Sequence, residues 1–190
     1  MRKPALVLAS QSPRRKELLA ILGIPFSVVP SSIDETPLAG ENPEEFAGRV
    51  AREKGMEVAS RVSQSVVLSA DTIVTIDGEI LGKPVDENDA VRMLKQLSGR
   101  DHWVYTGVTI VNQVKNETLE GTDRTRVWFN RLDDEQILDY VRRENVLDKA
   151  GAYAIQGYAG IYIPKIEGNY FNVMGLPLPL VYELLCRTLS

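Results

Sequence analysis

The stretch Val66-Val67-Leu68-Ser69-Ala70-Asp71-Thr72-Ile73-Val74-Thr75-Ile76 carries apolar residues at both even and odd positions. Successive side chains of a β-strand point to opposite faces, so a run of this kind is buried on both. A sheet covered by further layers on each side provides that environment. Asp71 sits in the middle of the run. An unpaired carboxylate costs several kcal/mol to bury, so this one requires a cation, a metal or hydrogen-bond donors beside it. The residues alone leave two readings, an acid poised for chemistry or a salt-bridged core residue.

Around this strand the chain alternates helix and strand signals. Residues 6–9 read as a strand and residues 13–22 as a helix, with Ser12 as N-cap, Pro13 in the first helical position and Gly23 just past the end. Residues 26–30 read as a second strand. Asn42-Pro43-Glu44-Glu45 is a capping box that opens a helix to about Arg61, although Gly48 and Gly55 each weaken it by about 1 kcal/mol relative to alanine. Asp77-Gly78 is a hairpin turn between residues 66–76 and 79–81. Asp86 caps a helix that ends near Ser98-Gly99, and residues 103–114 and 122–131 form a β-branched, aromatic hairpin turning near Asn116. Asp133 with Gln136 starts a helix to about Glu144. A loop-rich section with Gly151, Gly157 and Gly160 leads to a strand at residues 161–166, the turn Glu167-Gly168-Asn169, and a last helix opened by Gly175-Leu176-Pro177. Hairpins among alternating elements predict a mixed sheet rather than a purely parallel one.

A chain of 190 residues suits one domain, here residues 1–190 as two lobes sharing a sheet, and needs no disulfide or metal staple. The formal charge of −4 argues against a general nucleic-acid binder. His102 is the single histidine and has no second histidine with which to hold zinc; with Trp103 and Trp128 it reads as structural. Cys186 is the single cysteine, so no internal disulfide forms, and its place among Leu184, Leu185 and Leu189 predicts a core or half-buried thiol. The first residues lack the apolar core of a signal peptide and no run approaches 18 apolar residues, which predicts a cytoplasmic protein with no membrane partner.

Five further places carry chemical potential. Arg14, Arg15 and Lys16 crowd the first turn of the helix that starts at Pro13, where the macrodipole favours acids. Either an anion sits there, on the free N–H groups and guanidinium forks, or the turn is basic and exposed. Asp34-Glu35 places carboxylates after the second strand, where acids are usually solvated. Lys83, in Gly82-Lys83-Pro84, offers an ammonium on a constrained turn, and Lys54 lies on the capped helix, a position that is usually a solvated face. In Ala150-Gly151-Ala152-Tyr153-Ala154-Ile155-Gln156-Gly157 the glycines allow close approach to a ligand, and Gln156 offers both a donor and an acceptor, as reading a base edge requires. Tyr153 and Gln156 equally suit a core anchor and a backbone-satisfying amide.

Taken in order, eight segments resemble the Maf family of nucleoside triphosphate pyrophosphatases. They are Leu8-Ala9-Ser10-Gln11-Ser12-Pro13-Arg14-Arg15, Ile33-Asp34-Glu35, Ala51-Arg52-Glu53-Lys54, Ser69-Ala70-Asp71-Thr72-Ile73-Val74, Gly82-Lys83-Pro84, Leu97-Ser98-Gly99-Arg100, the stretch from Asp148-Lys149 to Gly157, and Val173-Met174-Gly175-Leu176-Pro177-Leu178. Each is weak alone; eight in family order over nearly the whole chain are specific. The resemblance implies an α/β fold, an elongated mixed sheet flanked by helices with a central cleft between two lobes, as in inosine triphosphate pyrophosphatase and Ham1-type proteins. It also implies hydrolysis of a nucleoside triphosphate between the α and β phosphates, with a divalent cation, Mg²⁺ or Mn²⁺. The branch that acts on dTTP and UTP carries arginine after the proline, threonine after the catalytic aspartate and glutamine in the glycine loop. Arg14, Thr72 and Gln156 match all three. The sister branch, acting on 7-methyl-GTP, differs at these places. Gly55 departs from the family, which more often has alanine there, and is expected to loosen its helix.

By the same resemblance Asp71 is the proton acceptor, Glu35 and Asp71 hold the metal, and Ser10, Arg14, Arg15, Lys54 and Lys83 bind phosphate. Thr72 and Gln156 read the pyrimidine, with Arg14 sharing in the choice. The N–H groups of the loop at residues 10–12 add fixed dipoles. Homodimers are common in the family. The alternatives are a purine-type or 7-methyl-GTP pyrophosphatase and, from another class, a nucleotide-binding regulator of septum formation without turnover.

Overall fold

The computed structural model describes residues 4–189. In chain order it contains β1 (Ala5–Leu8), α1 (Pro13–Ala20), β2 (Phe26–Val28), α2 (Pro43–Arg61), β3 (Ser65–Ile76), β4 (Glu79–Leu81), α3 (Glu87–Leu97), β5 (Asp101–Asn112), β6 (Glu117–Trp128) and α4 (Asp134–Arg143). Two 3₁₀ turns follow, Ala150–Ala152 and Tyr158–Tyr162, then β7 (Lys165–Glu167), α5 (Tyr170–Met174) and α6 (Leu178–Leu189). The seven strands form one mixed sheet in the order β2-β1-β3-β5-β6-β7, with β4 also paired to β3. β1 runs parallel to β2 and β3, whereas β4, β5, β6 and β7 pair antiparallel.

β3 is the spine, and every residue in it except Thr72 is buried. One of its edges is filled by β5, from Val66 to Thr75. The other edge is shared: β1 covers Ser65 to Leu68, and β4 covers Val74 to Ile76. Between them the edge of β3 has no strand partner among the described residues, and Asp71 and Thr72 fall in that notch. The carboxyl end of β1 and the turn after β4 both open into it.

Helices cover both faces. Against one face α2 packs Val58 on Val67, and Phe46 and Val50 on Ile73. The other face carries two cores. Leu68 and Ala70 pack with Leu19 of α1 and Leu184 of α6; Val74 and Ile76 pack with Leu94 of α3 and Ile137 of α4. Between those cores stand the hydroxyls of Thr72 and Thr106, 2.9 Å apart.

α2 is capped as the sequence predicts, Asn42 and Glu45 closing a capping box with Pro43 in the first turn. It runs unbroken through both glycines, and it lies hard on the sheet. A Cβ on Gly107 of β5 would stand 2.3 Å from the Ala47 carbonyl oxygen. One on Gly55 would stand 2.6 Å from Ser69 Oγ, which itself donates to the Ala51 carbonyl at 2.6 Å. Gly55 therefore serves close helix–sheet contact instead of loosening the helix.

Three further expectations change. The strand expected at residues 161–166 is a 3₁₀ turn to Tyr162 followed by the three-residue β7. Glycine-centred turns, with Gly160 N–H on the Gly157 carbonyl and Ile163 N–H on Gly160, occupy the backbone, and Pro164 has no N–H to offer a ladder. Gly175 does not open the last helix. It closes the short α5, at φ 109°, a conformation that favours glycine. Cys186 is exposed: Leu178, Val181, Leu184, Leu185 and Thr188 form the buried stripe of α6, and its outer face falls at Cys186. Among the described residues no helix is long and apolar enough to cross a membrane.

Candidate active site

The notch in the sheet opens into a cleft of about 810 Å³, and all nine residues to which the family resemblance assigns a role line it. Side-chain alternation along β3 sends Asp71 toward α2 and Thr72 toward α1. Both reach the same cleft because the edge of β3 is bare at that point.

On the α2 side, Lys54 is buried, not solvated. Its Nζ donates to Asp71 Oδ1 at 2.7 Å and lies 2.8 Å from Glu35 Oε1. The close seating of α2 at Gly107 and Gly55 brings that ammonium to β3. Asp71 is 6 % exposed, whereas about half of the Glu35 side chain faces solvent, at 48 %. Asp34 plays no part here. Its carboxylate accepts from the backbone N–H and the hydroxyl of Thr36, closing a local turn that leaves Glu35 as the acid in the cleft.

On the α1 side, Ser12 caps the helix through Arg15 N–H, and Ser10 Oγ accepts from Ser12 N–H at 3.2 Å. Arg15 turns inward. Its Nε donates to the Gly175 carbonyl at 2.8 Å and its Nη2 to Thr72 Oγ1 at 3.0 Å, with Ser10 Oγ 3.4 Å from Nη1. Burial draws this guanidinium below its ordinary pKa, and the charge of Asp71 opposes the shift. Arg15 thus braces α1, β3 and the loop after α5 around the cleft.

The remaining wall comes from the chain after α4. Arg14 reaches across to Asp148, Nη1 on Oδ2 at 3.1 Å and Nη2 on the backbone carbonyl at 3.3 Å. Lys83 and Gln156 are exposed side chains at the rim. The turn carrying Lys83 is tied to this wall by Gly151 N–H on the Gly82 carbonyl at 3.0 Å. Tyr153 is a core anchor whose Oη is 2.7 Å from His102 Nε2. Burial pushes His102 down to about 3, against the weaker pull of Asp101, so the ring is neutral at physiological pH.

The family model for Maf-like proteins matches residues 5–188. The chain belongs to the Maf family. A protein of Geobacter sulfurreducens named dTTP/UTP pyrophosphatase is 50 % identical over 187 residues, 98 % of each chain. One of that name from Caldanaerobacter subterraneus subsp. tengcongensis is 44 % identical over 183 residues, 96 % of this chain and 88 % of the other. The solved structure of a HAM1 protein from Coxiella burnetii aligns at 19 % identity and TM-score 0.46, over 68 % of this chain and 74 % of that one.

Sequence reasoning did not give roles to Asp148, Lys149 or the Gly175 carbonyl in this Maf protein, although all three lie in segments that match the family. The signal available was a charged pair, Asp148-Lys149, directly before the glycine loop. Lys149 is 7 % exposed, and its Nζ meets Asp148 Oδ1 at 2.8 Å and the Asn145 carbonyl.

The donor set suits a hard divalent cation. Glu35 and Asp71 present carboxylate oxygens to one and the same ammonium, so a second cation there would meet both. Mg²⁺ commonly binds through one or two carboxylates plus substrate phosphates and water. Among the described residues no group of three or more His, Cys, Asp or Glu side chains forms a metal cage.

Proposed function

We propose that this Maf protein is a nucleoside triphosphate pyrophosphatase that converts dTTP and UTP to the nucleoside monophosphate and pyrophosphate. One observation carries the reading: Asp71, buried in the notch of a sheet, shares one cleft with Glu35, with Lys54 and Lys83, and with two arginines from a helix N-terminus. The shared name of its close relatives supports the choice of substrate.

Asp71 accepts the proton of the attacking water. The water oxygen bonds to the α-phosphorus as the bridge to the β-phosphate breaks, and pyrophosphate leaves. Lys54 supplies the counter-charge that makes a carboxylate tenable at this depth. Lys54, Lys83 and the α1 N-terminus offset the triphosphate charge, so catalysis is largely positioning and electrostatics. Glu35 and Asp71 would hold a divalent ion, which when bound would supply polarisation of the phosphate oxygens and a more acidic attacking water. Uracil and thymine present acceptor, donor and acceptor along one edge. Gln156 offers the complementary donor and acceptor, and Arg14 offers further donors. Thr72, whose hydroxyl holds Arg15 and faces Thr106, shapes the same region. The enzyme works in the cytoplasm, where its substrates are.

Pyrophosphate release from a panel of nucleoside triphosphates, with and without Mg²⁺, tests the assignment. The panel includes 7-methyl-GTP. We expect dTTP and UTP to be preferred, Asp71→Asn to lose turnover while keeping its fold, and Gln156→Glu to lose pyrimidine preference. Nucleotide binding without turnover in the wild type, or wild-type turnover in Asp71→Asn, overturns it.

A further inference from the structure

Arg14 does not stand in the cleft as an unpartnered cation. Its guanidinium is forked onto a single residue 134 positions away, with one nitrogen on the Asp148 carboxylate and the other on the Asp148 backbone carbonyl. Two donors to one residue fix the plane of the group as well as its place. Asp148 is itself clamped. Its Oδ2 takes Arg14 and its Oδ1 takes Lys149, whose buried Nζ is anchored in turn on the Asn145 carbonyl. Burial would raise the Asp148 carboxyl, but Lys149 and Arg14 together hold it below the usual carboxylate range, so the pair is ionic at neutral pH.

The same segment carries Gln156. Between the two, the backbone is pinned by Ala152 N–H on the Lys149 carbonyl and Gly157 N–H on the Ala154 carbonyl, and Tyr153 is held by His102. Asp148 thus references Arg14, which belongs to α1, to the loop that bears the amide at the rim. A guanidinium has five N–H donors, and two are spent on Asp148, leaving three for a ligand in a defined plane. Its charge is already paired, so Arg14 contributes less to neutralising a triphosphate than Lys83 does.

We propose that Asp148 is the positioning residue for substrate choice: it orients Arg14 so that the remaining guanidinium donors and the Gln156 amide present one fixed pattern to the base. The proposal rests on the cleft being a nucleoside triphosphate site. It requires that loss of Asp148 change which nucleotide is used more than how fast phosphate chemistry runs.

The test compares Asp148→Ala, Asp148→Asn, Asp148→Glu, Arg14→Ala and the Arg14→Ala/Asp148→Ala double variant. Each is measured for kcat and KM on UTP, CTP and GTP with Mg²⁺, and for thermal unfolding. For Asp148→Ala we expect the UTP-to-GTP ratio of kcat/KM to fall by about tenfold or more, chiefly through KM, with partial recovery in Asp148→Glu. The double variant should be no worse than Arg14→Ala, the non-additivity expected of residues acting as a unit. An equal loss on all nucleotides, or additive losses in the double variant, overturns the proposal and leaves Asp148 a structural residue. If Asp148→Ala does not fold, the isosteric Asp148→Asn decides by the same ratio. A wild type inactive on every nucleotide refutes the function. Asp148 is then judged by calorimetric binding of UTP against GTP, where unchanged discrimination in the variant refutes it separately.

Discussion

Replacing Lys54 by methionine removes one ammonium and keeps most of the hydrocarbon that α2 packs against the sheet. The side chains of Lys54 and Asp71 are 9 % and 8 % exposed, so the substitution strands a buried carboxylate. Removing one partner of a buried pair costs about 3–5 kcal/mol, and the open cleft beside Asp71 argues for the lower end, about 3 kcal/mol. Glu35, about half exposed, adds close to nothing, since exposed pairs are worth about 0–1 kcal/mol. In a chain of this size each kcal/mol moves the melting temperature by about 2–4 °C, which gives a drop of about 6–12 °C. Scanning calorimetry in EDTA at neutral pH measures it. Mg²⁺ without nucleotide should then restore part of the loss. With the ammonium gone, the two carboxylates accept a cation directly, and binding at ten times Kd returns about 1.4 kcal/mol, or about 3–6 °C. The wild type, whose carboxylates already share Lys54, should respond less. A Lys54→Met protein that melts within about 2 °C of the wild type in EDTA would refute the reasoning, because the pair would then hold nothing together.

Two further outcomes follow from the geometry. His102, the single histidine, titrates near its ordinary value when unfolded but only at about 3 when folded. The unfolded chain therefore binds more protons between those values, and stability is lost as the pH is lowered through that window, by about 2 kcal/mol at a pH about 1.5 units below the ordinary value. Denaturant midpoints near neutrality and at mildly acid pH should show this loss in the wild type and a flatter response in His102→Gln; equal slopes would count against it. Gly107→Ala places a methyl 2.3 Å from the Ala47 carbonyl oxygen, so α2 must lift from the sheet. Overpacking of this kind costs about 3 kcal/mol, and urea unfolding together with pyrophosphate release should both suffer. Wild-type stability in that variant would mean the helix is not seated as described.

The sequence by itself determined the features whose causes are local. The doubly apolar run around Asp71 announced a strand buried on both faces, and β3 is that strand. Ser12, Asn42, Asp86 and Asp133 announced their helices because each cap accepts from a backbone N–H three residues on. The acid at Asp71, the basic first turn of α1 and the glycine loop were visible as chemistry, and the family pattern joined them. Only the tertiary structure decided what each charge meets. Lys54 finds Asp71 17 residues away, and Arg14 finds Asp148 134 residues away. Such pairs depend on strand register and on how closely α2 seats, to which helix period and capping are blind. The notch itself is invisible in the chain. It exists because β1 ends at Leu8 while β4 begins pairing only at Val74, leaving a gap on one edge of a strand that looks continuous when read alone. Local rules placed Asp71 in the core; the bare edge of β3 turned that core position into the floor of a cleft.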